Sequence, residues 1–271
     1  MPELPEVETT CRGIAPHVIN RVVTAVVVRQ PQLRWLVPAD LATHLVGREL
    51  LGVSRRGKYV LLAFANGHLL VHLGMSGNLR IVQRREDPSY HDHVDIEFGE
   101  QHVLRLNDPR RFGAVLWTAA PLAEHQLLAH LGPEPLEPAF DGEYLYQRSR
   151  KRTQAIKTFI MDSKVVVGVG NIYANEALFA AGIRPTLAAG KVSRARMESL
   201  VTEIKLVLVR AIERGGTTLK DFVGGDGKPG YFQQELQVYG RAGMPCRQCE
   251  RPLKEVRLAQ RSTVYCTACQ R

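Results

Sequence analysis

Pro2-Glu3 and two Cys-x2-Cys pairs are the residues of this chain whose types and spacing carry chemistry. Removal of Met1 would turn Pro2 into an N-terminal secondary amine with the Glu3 carboxylate beside it. An α-amino group titrates near ~8 and a lysine ammonium near ~10.4, so such a terminus offers roughly a few hundred times more free amine at neutral pH. A secondary amine condenses with an aldehyde carbon to an iminium that cannot lose its charge at nitrogen. That fixed charge is an electron sink for breaking bonds beside a sugar carbon. The structural alternative is that Pro2 and Pro5 only shape the first turn of a helix, where proline is common.

Cys246-x2-Cys249 and Cys266-x2-Cys269 stand sixteen residues apart, a spacing that matches a tetrahedral Zn²⁺ site. The segments Leu253–Arg257 and Ser262–Tyr265 can form a two-stranded ribbon between the pairs. Two disulfides or a redox pair are the alternative, which suits an apparently cytoplasmic chain with an odd fifth cysteine less well. A four-thiolate site is closed, so one structural Zn²⁺ is expected. Cys11 is left over, as a buried residue of the first helix.

Two further clusters have the composition of nucleic-acid contacts. In Val165-Val166-Val167-Gly168-Val169-Gly170-Asn171, a glycine turn can aim backbone N–H groups and a helix N-terminus at an anion. Arg150, Lys151, Arg152 and Lys157 lie close by in sequence, as a backbone clamp or as a solvated helix start. Leu73-Gly74-Met75-Ser76-Gly77 and Asp108-Pro109-Arg110-Arg111-Phe112-Gly113 place Met75 and Phe112 on or beside turns. Exposed there, they would insert into a base stack while Arg110 hydrogen-bonds the unpaired base; otherwise both pack inside. His91 and His93 have no third convergent ligand in sequence, which favours phosphate contact or a buried hydrogen bond over a metal.

These residues need elements to hold them. The 271-residue chain is 45% hydrophobic, enough for two domains or for one with an appendage. No apolar run approaches the ~20 residues that span a bilayer, and no secretory leader precedes the start, so a cytoplasmic location and no membrane partner are expected. Of the net charge of +9, residues 241–271 carry seven basic against two acidic residues, which suggests an anionic partner. Leu4, Val7, Cys11 and Ile14 predict a first helix, and Val22–Val28, Tyr59–Phe64, His68–Leu73, Val94–Phe98 and Val103–Leu106 predict strands. Hairpin turns are expected at Ala65-Asn66-Gly67 and Gly99-Glu100-Gln101. Three prolines within 132–138 suggest a linker, followed by helices over Gln154–Met161, Asn171–Ala181, Arg194–Arg214 and Thr218–Phe222. The expected class is α+β: a helix and antiparallel β-sandwich (1–132), a linker (133–152), a helical domain (153–240) and a four-Cys ribbon (241–271).

Pro2-Glu3-Leu4-Pro5-Glu6-Val7-Glu8-Thr9, His72–Gly77, Asp108–Gly113, Val167–Tyr173 and the four-Cys ribbon together resemble the bacterial formamidopyrimidine-DNA glycosylases nearly end to end, in the same order. The sister endonuclease VIII family, whose substrates are mainly oxidised pyrimidines, differs after the Pro-Glu start, with Gly in place of Leu4. The resemblance implies a helix–two-turn–helix domain and a bifunctional glycosylase and abasic-site lyase. Its partner would be duplex DNA containing oxidised purines, met as a monomer in a bacterial cytoplasm and nucleoid. It further implies Pro2 as nucleophile and Glu3 as acid/base. Lys58 would be the proton donor for β-elimination and Arg261 would serve the δ step, unless both act mainly as phosphate ligands. His91, Arg110 and Arg152 would contact DNA, Lys157 and Asn171 would hold phosphates, and Met75, Arg110 and Phe112 would fill the gap left by the flipped nucleotide. The basic run at Arg150–Gln154 varies in register within the family, so the Arg152 assignment could fall one residue away. Thr217–Tyr231 resembles the loop that encloses the everted purine. An oxidised-pyrimidine glycosylase and a non-catalytic zinc-ribbon damage sensor are the competing readings.

Overall fold

Residues 2–217 and 232–271 are described by a computed structural model. The Thr218–Phe222 helix and most of the expected Thr217–Tyr231 loop lie outside the described residues. Contacts divide the chain into two compact units, Met1–Ala129 with Ile212–Gln233, and His130–Ala211 with Gln234–Arg271.

In the first unit, α1 (Leu4–Val18) is followed by β1 (Val23–Val28), the short α2 (Leu41–Leu45), β2 (Leu50–Arg56), β3 (Tyr59–Phe64), β4 (Gly67–His72), β5 (Asn78–Gln83), β6 (Asp92–Phe98), β7 (His102–Asn107) and β8 (Ala114–Thr118). Two antiparallel four-stranded sheets result, ordered β1-β6-β7-β5 and β2-β3-β4-β8. Val7, Cys11, Ile14 and Val18 recur at helical spacing along α1 and share one core with Val60, Leu62, Val71 and Val115 of one sheet and Ile96, Leu104 and Leu106 of the other. Each such fully buried aliphatic contributes about 1.5–3 kcal/mol. Both expected hairpins are present. Strands β2, β5 and β8 were not anticipated: β2 carries Gly52 and Ser54-Arg55-Arg56, and only pairing with β3 holds those residues extended.

Strand β6 is buried along nearly its whole length although it contains Asp92 and Asp95. Register explains this. Asp95 lies opposite Arg105 of β7, and Asp92 opposite Asn107. Arg105 forks onto both oxygens of Asp95 at 2.9 Å, and Arg29 adds a bond at 2.7 Å. Asp92 accepts from Arg80 of β5, from Asn107 and from the Ser89 backbone. A third Arg105 bond, to the Glu86 carbonyl, ties down the connection that leads to His91.

In the second unit, α3 (Gly142–Ser149), α4 (Ile156–Ile160), α5 (Asn171–Ala180) and α6 (Arg194–Glu213) precede the ribbon strands β9 (Lys254–Leu258) and β10 (Arg261–Tyr265). Helix α3 was not anticipated; Asp141 caps it by accepting the Tyr144 N–H at 2.7 Å. Helix α4 begins at Ile156 because Ala155 is extended and bridges to Ala188. No described helix is long and apolar enough to cross a membrane.

Burial alone would raise Asp95 and Asp92, but the hydrogen bonds and the facing arginines outweigh it and hold both carboxyls below their ordinary value. Their stabilisation is therefore present above the unfolded value near ~4 and is lost as pH falls through the lowered folded value. Removing one partner of so buried a pair costs about 3–5 kcal/mol. Urea unfolding of Asp95→Asn should show a loss of that size at pH 7, with the gap to the parent protein narrowing below pH ~4.

Candidate active site and metal centre

Pro2 and Glu3 are both buried, Glu3 with only 2% of its surface exposed. Glu3 is the N-cap of α1 and Pro5 sits in its first turn, where its missing N–H leaves no intrahelical bond unmade. The segment is fixed by Glu6. One Glu6 oxygen accepts the Glu3 N–H at 2.9 Å, and the other accepts the Thr217 N–H at 2.8 Å. Gly216 makes this approach possible: its φ is +81°, and a Cβ there would stand 3.1 Å from the Glu6 carboxylate. Sequence reasoning did not place Glu6 in the site. Its only signal was the acid three residues into the helix, the mark of a capping box, which is ordinarily punctuation.

Lys58 is half-buried beside Gly57 (φ +57°) in the tight β2–β3 turn. Arg55 fastens that turn to α1, bonding Glu8 at 3.1 Å and the Gly57 carbonyl at 3.1 Å. His72, at the end of β4, is a second residue the sequence reading passed over. Its Nδ1 accepts the Gly74 N–H at 3.0 Å, which leaves its proton on Nε2. Burial first, then the Lys58 and Arg34 cations, push His72 down to about 4, so it is a neutral donor across the working pH range. It lines a cavity of about 410 Å³ with Arg34, Gly74, Met75 and Phe112.

Glycines let the two apolar-tipped loops touch. A Cβ on Gly74 (φ +65°) would lie 2.6 Å from the backbone at Phe112 and Gly113, and one on Gly113 would lie 2.7 Å from the His72 carbonyl. Asp108, fully buried, closes the second loop by accepting the Gly113 N–H at 2.7 Å. Met75 and Phe112 are left 42% and 49% exposed, with Arg110 Nη1 3.9 Å from Met75 Sδ. Of the alternatives open in the sequence, exposure therefore holds over packing inside. His91 is half-buried near this loop, its carbonyl accepting the Asp108 N–H at 3.0 Å. His93 is buried, with Nε2 bonded to the Asp108 carbonyl at 2.9 Å. Neither histidine belongs to a metal cluster; among the described residues the four ribbon cysteines form the one candidate.

In the second unit, Gly168 (φ +80°) and the extended N-cap Gly170 turn the chain into α5, so that Asn171 stands at the positive end of the helix. The buried Asn171 Oδ1 has no hydrogen-bond partner among the described residues. Arg152 is exposed, whereas its neighbour Arg150 is committed to the Tyr146 and Val192 carbonyls. Arg261 is exposed at the start of β10, after a tight turn in which Ala259 and Gln260 both have positive φ. Lys157 is fully buried; its ammonium donates to the Ser262 carbonyl at 2.8 Å and to Thr263 Oγ1 at 2.7 Å.

The four cysteine sulfurs lie within 4.8 Å of one another, with Cys249–Cys266 at 3.4 Å and Cys246–Cys269 at 4.0 Å. Zn–S bonds of about 2.3 Å in a tetrahedron put sulfurs about 3.8 Å apart, so the thiolates fit that ion. Both knuckles close alike, Glu250 N–H on the Cys246 carbonyl and Gln270 N–H on the Cys266 carbonyl. The chain carries a structural zinc site, and with all four positions taken by sulfur the metal fixes the ribbon and leaves no place for substrate.

A fixed Pro-Glu start and apolar-tipped loops in one unit, with a glycine-started helix and a basic zinc ribbon in the other, define the class of DNA glycosylases that open damaged duplexes. The comparisons specify which. Residues 1–115 match the formamidopyrimidine-DNA glycosylase N-terminal domain, 131–223 its H2TH domain, and 243–271 the zinc finger found in FPG and IleRS. A formamidopyrimidine-DNA glycosylase of Saccharophagus degradans is 63% identical over 271 residues, covering 100% of both chains. The solved MutM (Fpg) protein of Thermus thermophilus superposes with a TM-score of 0.88 at 36% identity, over 99% of this chain and 98% of its own. A Lactococcus lactis Fpg (MutM) in complex with N7-benzyl-Fapy-dG-containing DNA gives a TM-score of 0.91 at 30% identity, over 99% of each. This chain belongs to the formamidopyrimidine-DNA glycosylase family, base excision repair glycosylases with abasic-site lyase activity.

Two measurements test this geometry. In a pH titration followed by NMR, the His72 ring resonances should hold constant from pH 8 to 5 and move only near 4; a midpoint near the ordinary ~6.5 would remove the half-buried neutral donor. Both tryptophans, Trp35 and Trp117, lie in the first unit. Zinc chelation should therefore abolish duplex affinity while Trp emission stays that of the folded protein.

Proposed function

We propose that this chain flips oxidised purines, 8-oxoguanine and formamidopyrimidines, out of duplex DNA and cuts the strand at the resulting site by β,δ-elimination through Pro2. The observation that carries the proposal is the pair of hydrogen bonds that Glu6 accepts from Glu3 N–H and Thr217 N–H, which fixes the backbone next to Pro2 with a carboxylate on Glu3. With Met1 removed, the Pro2 nitrogen attacks C1′ as the glycosidic bond breaks and the base departs. Glu3 supplies a proton to open the sugar ring, leaving a C1′ iminium. The iminium acidifies C2′; loss of that proton expels the 3′ phosphate, and a further elimination expels the 5′ phosphate.

Extrusion costs a few kcal/mol, which Met75 and Phe112 help to offset by entering the stack while Arg110 bonds the estranged base. Their exposure and mutual contact support this. Lys58 acts as proton donor in β-elimination, and its fastening to α1 through Arg55 supports a place near Pro2. Arg261 grips phosphate and serves the δ step; Asn171, His91 and Arg152 hold the DNA backbone, to which the neutral His72 adds a donor. The enzyme acts as a monomer on nucleoid DNA in the bacterial cytoplasm.

An oxidised-pyrimidine preference is a second reading, since one L. lactis Fpg (MutM) structure contains DNA with an oxidised pyrimidine. Borohydride reduction on duplexes bearing 8-oxoguanine opposite cytosine should trap the chain covalently through Pro2. Excision from that duplex should outpace excision of thymine glycol. Cleavage without any adduct would defeat the amine mechanism, and equal or faster pyrimidine excision would overturn the substrate assignment. An intact mass that includes Met1 should coincide with lesion binding without cleavage, because Pro2 is then a tertiary amide.

A further inference from the structure

The resemblance puts Lys157 among the phosphate ligands, yet none of its surface is exposed. Its ammonium spends two donors on the hairpin strand that carries Arg261, at the Ser262 carbonyl and Thr263 Oγ1. The Thr263 hydroxyl in turn donates to the Arg261 carbonyl at 3.2 Å. A short chain of hydrogen bonds thus runs from helix α4 to the backbone of Arg261 itself. We infer that Lys157 is a positioning residue, whose buried ammonium sets the height and register of β10 and so the reach of the Arg261 guanidinium.

Neighbouring contacts show why that strand needs setting. The Arg261 end of the hairpin is a turn of two non-glycine residues at positive φ, a conformation with little local preference of its own. The zinc fixes the opposite end of β10, where Cys266 follows Tyr265. Between the two, Asn175 of α5 accepts the Val264 N–H at 2.9 Å, the next rung after the Lys157 bonds. Glu176 takes the N–H groups of Gln237, Val238 and Tyr239, anchoring the chain that leads into the ribbon. Metal, amide and ammonium therefore hold successive points along β10, and Lys157 holds the one nearest Arg261. A long flexible stem ending in three donors suits that place, because one group can serve a carbonyl and a hydroxyl together.

The inference rests on the proposed role of Arg261 in the δ step, and that dependence supplies the test. On 8-oxoguanine duplexes, the δ-eliminated product is measured relative to the borohydride-trapped Pro2 adduct for Lys157→Met, Thr263→Val, Thr263→Ser and Arg261→Ala, with zinc content as the check on ribbon folding. Arg261→Ala should lower the ratio at least tenfold. Lys157→Met should lower it about as much at one zinc per chain, Thr263→Val at least threefold, and Thr263→Ser should restore the parent value. If Lys157→Met fails to retain zinc, Thr263→Val decides. A normal ratio in Lys157→Met or Thr263→Val beside a lowered one in Arg261→Ala overturns the positioning role. Uniformly weaker duplex binding by Lys157→Met at a normal ratio would return Lys157 to the phosphate ligands. An unaltered ratio in Arg261→Ala overturns the δ-step reading, and this inference with it.

Discussion

A chain terminus is ordinarily the loosest part of a fold, and a nucleophile built on one is useless until it is held. The Glu6 carboxylate supplies the hold. Its two oxygens bond N–H groups that are 211 residues apart in the case of Thr217 and three in the case of Glu3. Buried carboxylates are costly unless saturated with donors, and here the saturation also brings a distant segment onto the start of α1. The geometry around Pro2 thus depends on a side chain that needs no part in bond breaking.

The same economy of small contacts recurs in the two apolar-tipped loops. Met75, Arg110 and Phe112 meet because Gly74 and Gly113 let two backbones approach within distances a side chain forbids, and because Asp108 ties off the second loop. Apolar tips gain nothing from water, so the loops must be rigid for other reasons, and these are backbone contact and a buried carboxylate. Below them, the Asp92–Asp95–Arg105 network holds the strand and connection that carry His91. In the second unit the ribbon has a core of a few side chains, including Phe179 of α5, too small to fold without its metal. Buried Lys157, Asn175 and Glu176 complete what zinc begins.

How much of this was legible differed by residue. The Cys-x2-Cys pairs declared their metal outright, because thiolate ligands in a knuckle are adjacent in sequence. Pro2-Glu3 declared a possibility that the accompanying motifs made specific. Strands β3, β4, β6 and β7 showed themselves by apolar content, whereas β2 and β5 carry the polar residues of sheet edges and depend on their partners. Glu6 and His72 looked like a capping acid and a strand-end histidine; only burial and partners mark them out. Lys157 looked basic and therefore DNA-facing, and it is buried.

The sequence by itself determined the chemistry available: an amine-capable terminus with a carboxylate, four thiolates at zinc spacing, glycine turns and a basic tail. Those are covalent facts or contacts between near neighbours, which local spacing encodes. The tertiary structure alone decided which groups that chemistry can use. It bonded Glu6 to Thr217, left Met75 and Phe112 exposed, kept His72 neutral and turned Lys157 inward. Each of these outcomes rests on desolvation or on contacts between residues far apart in sequence, and neither exists until the chain has folded.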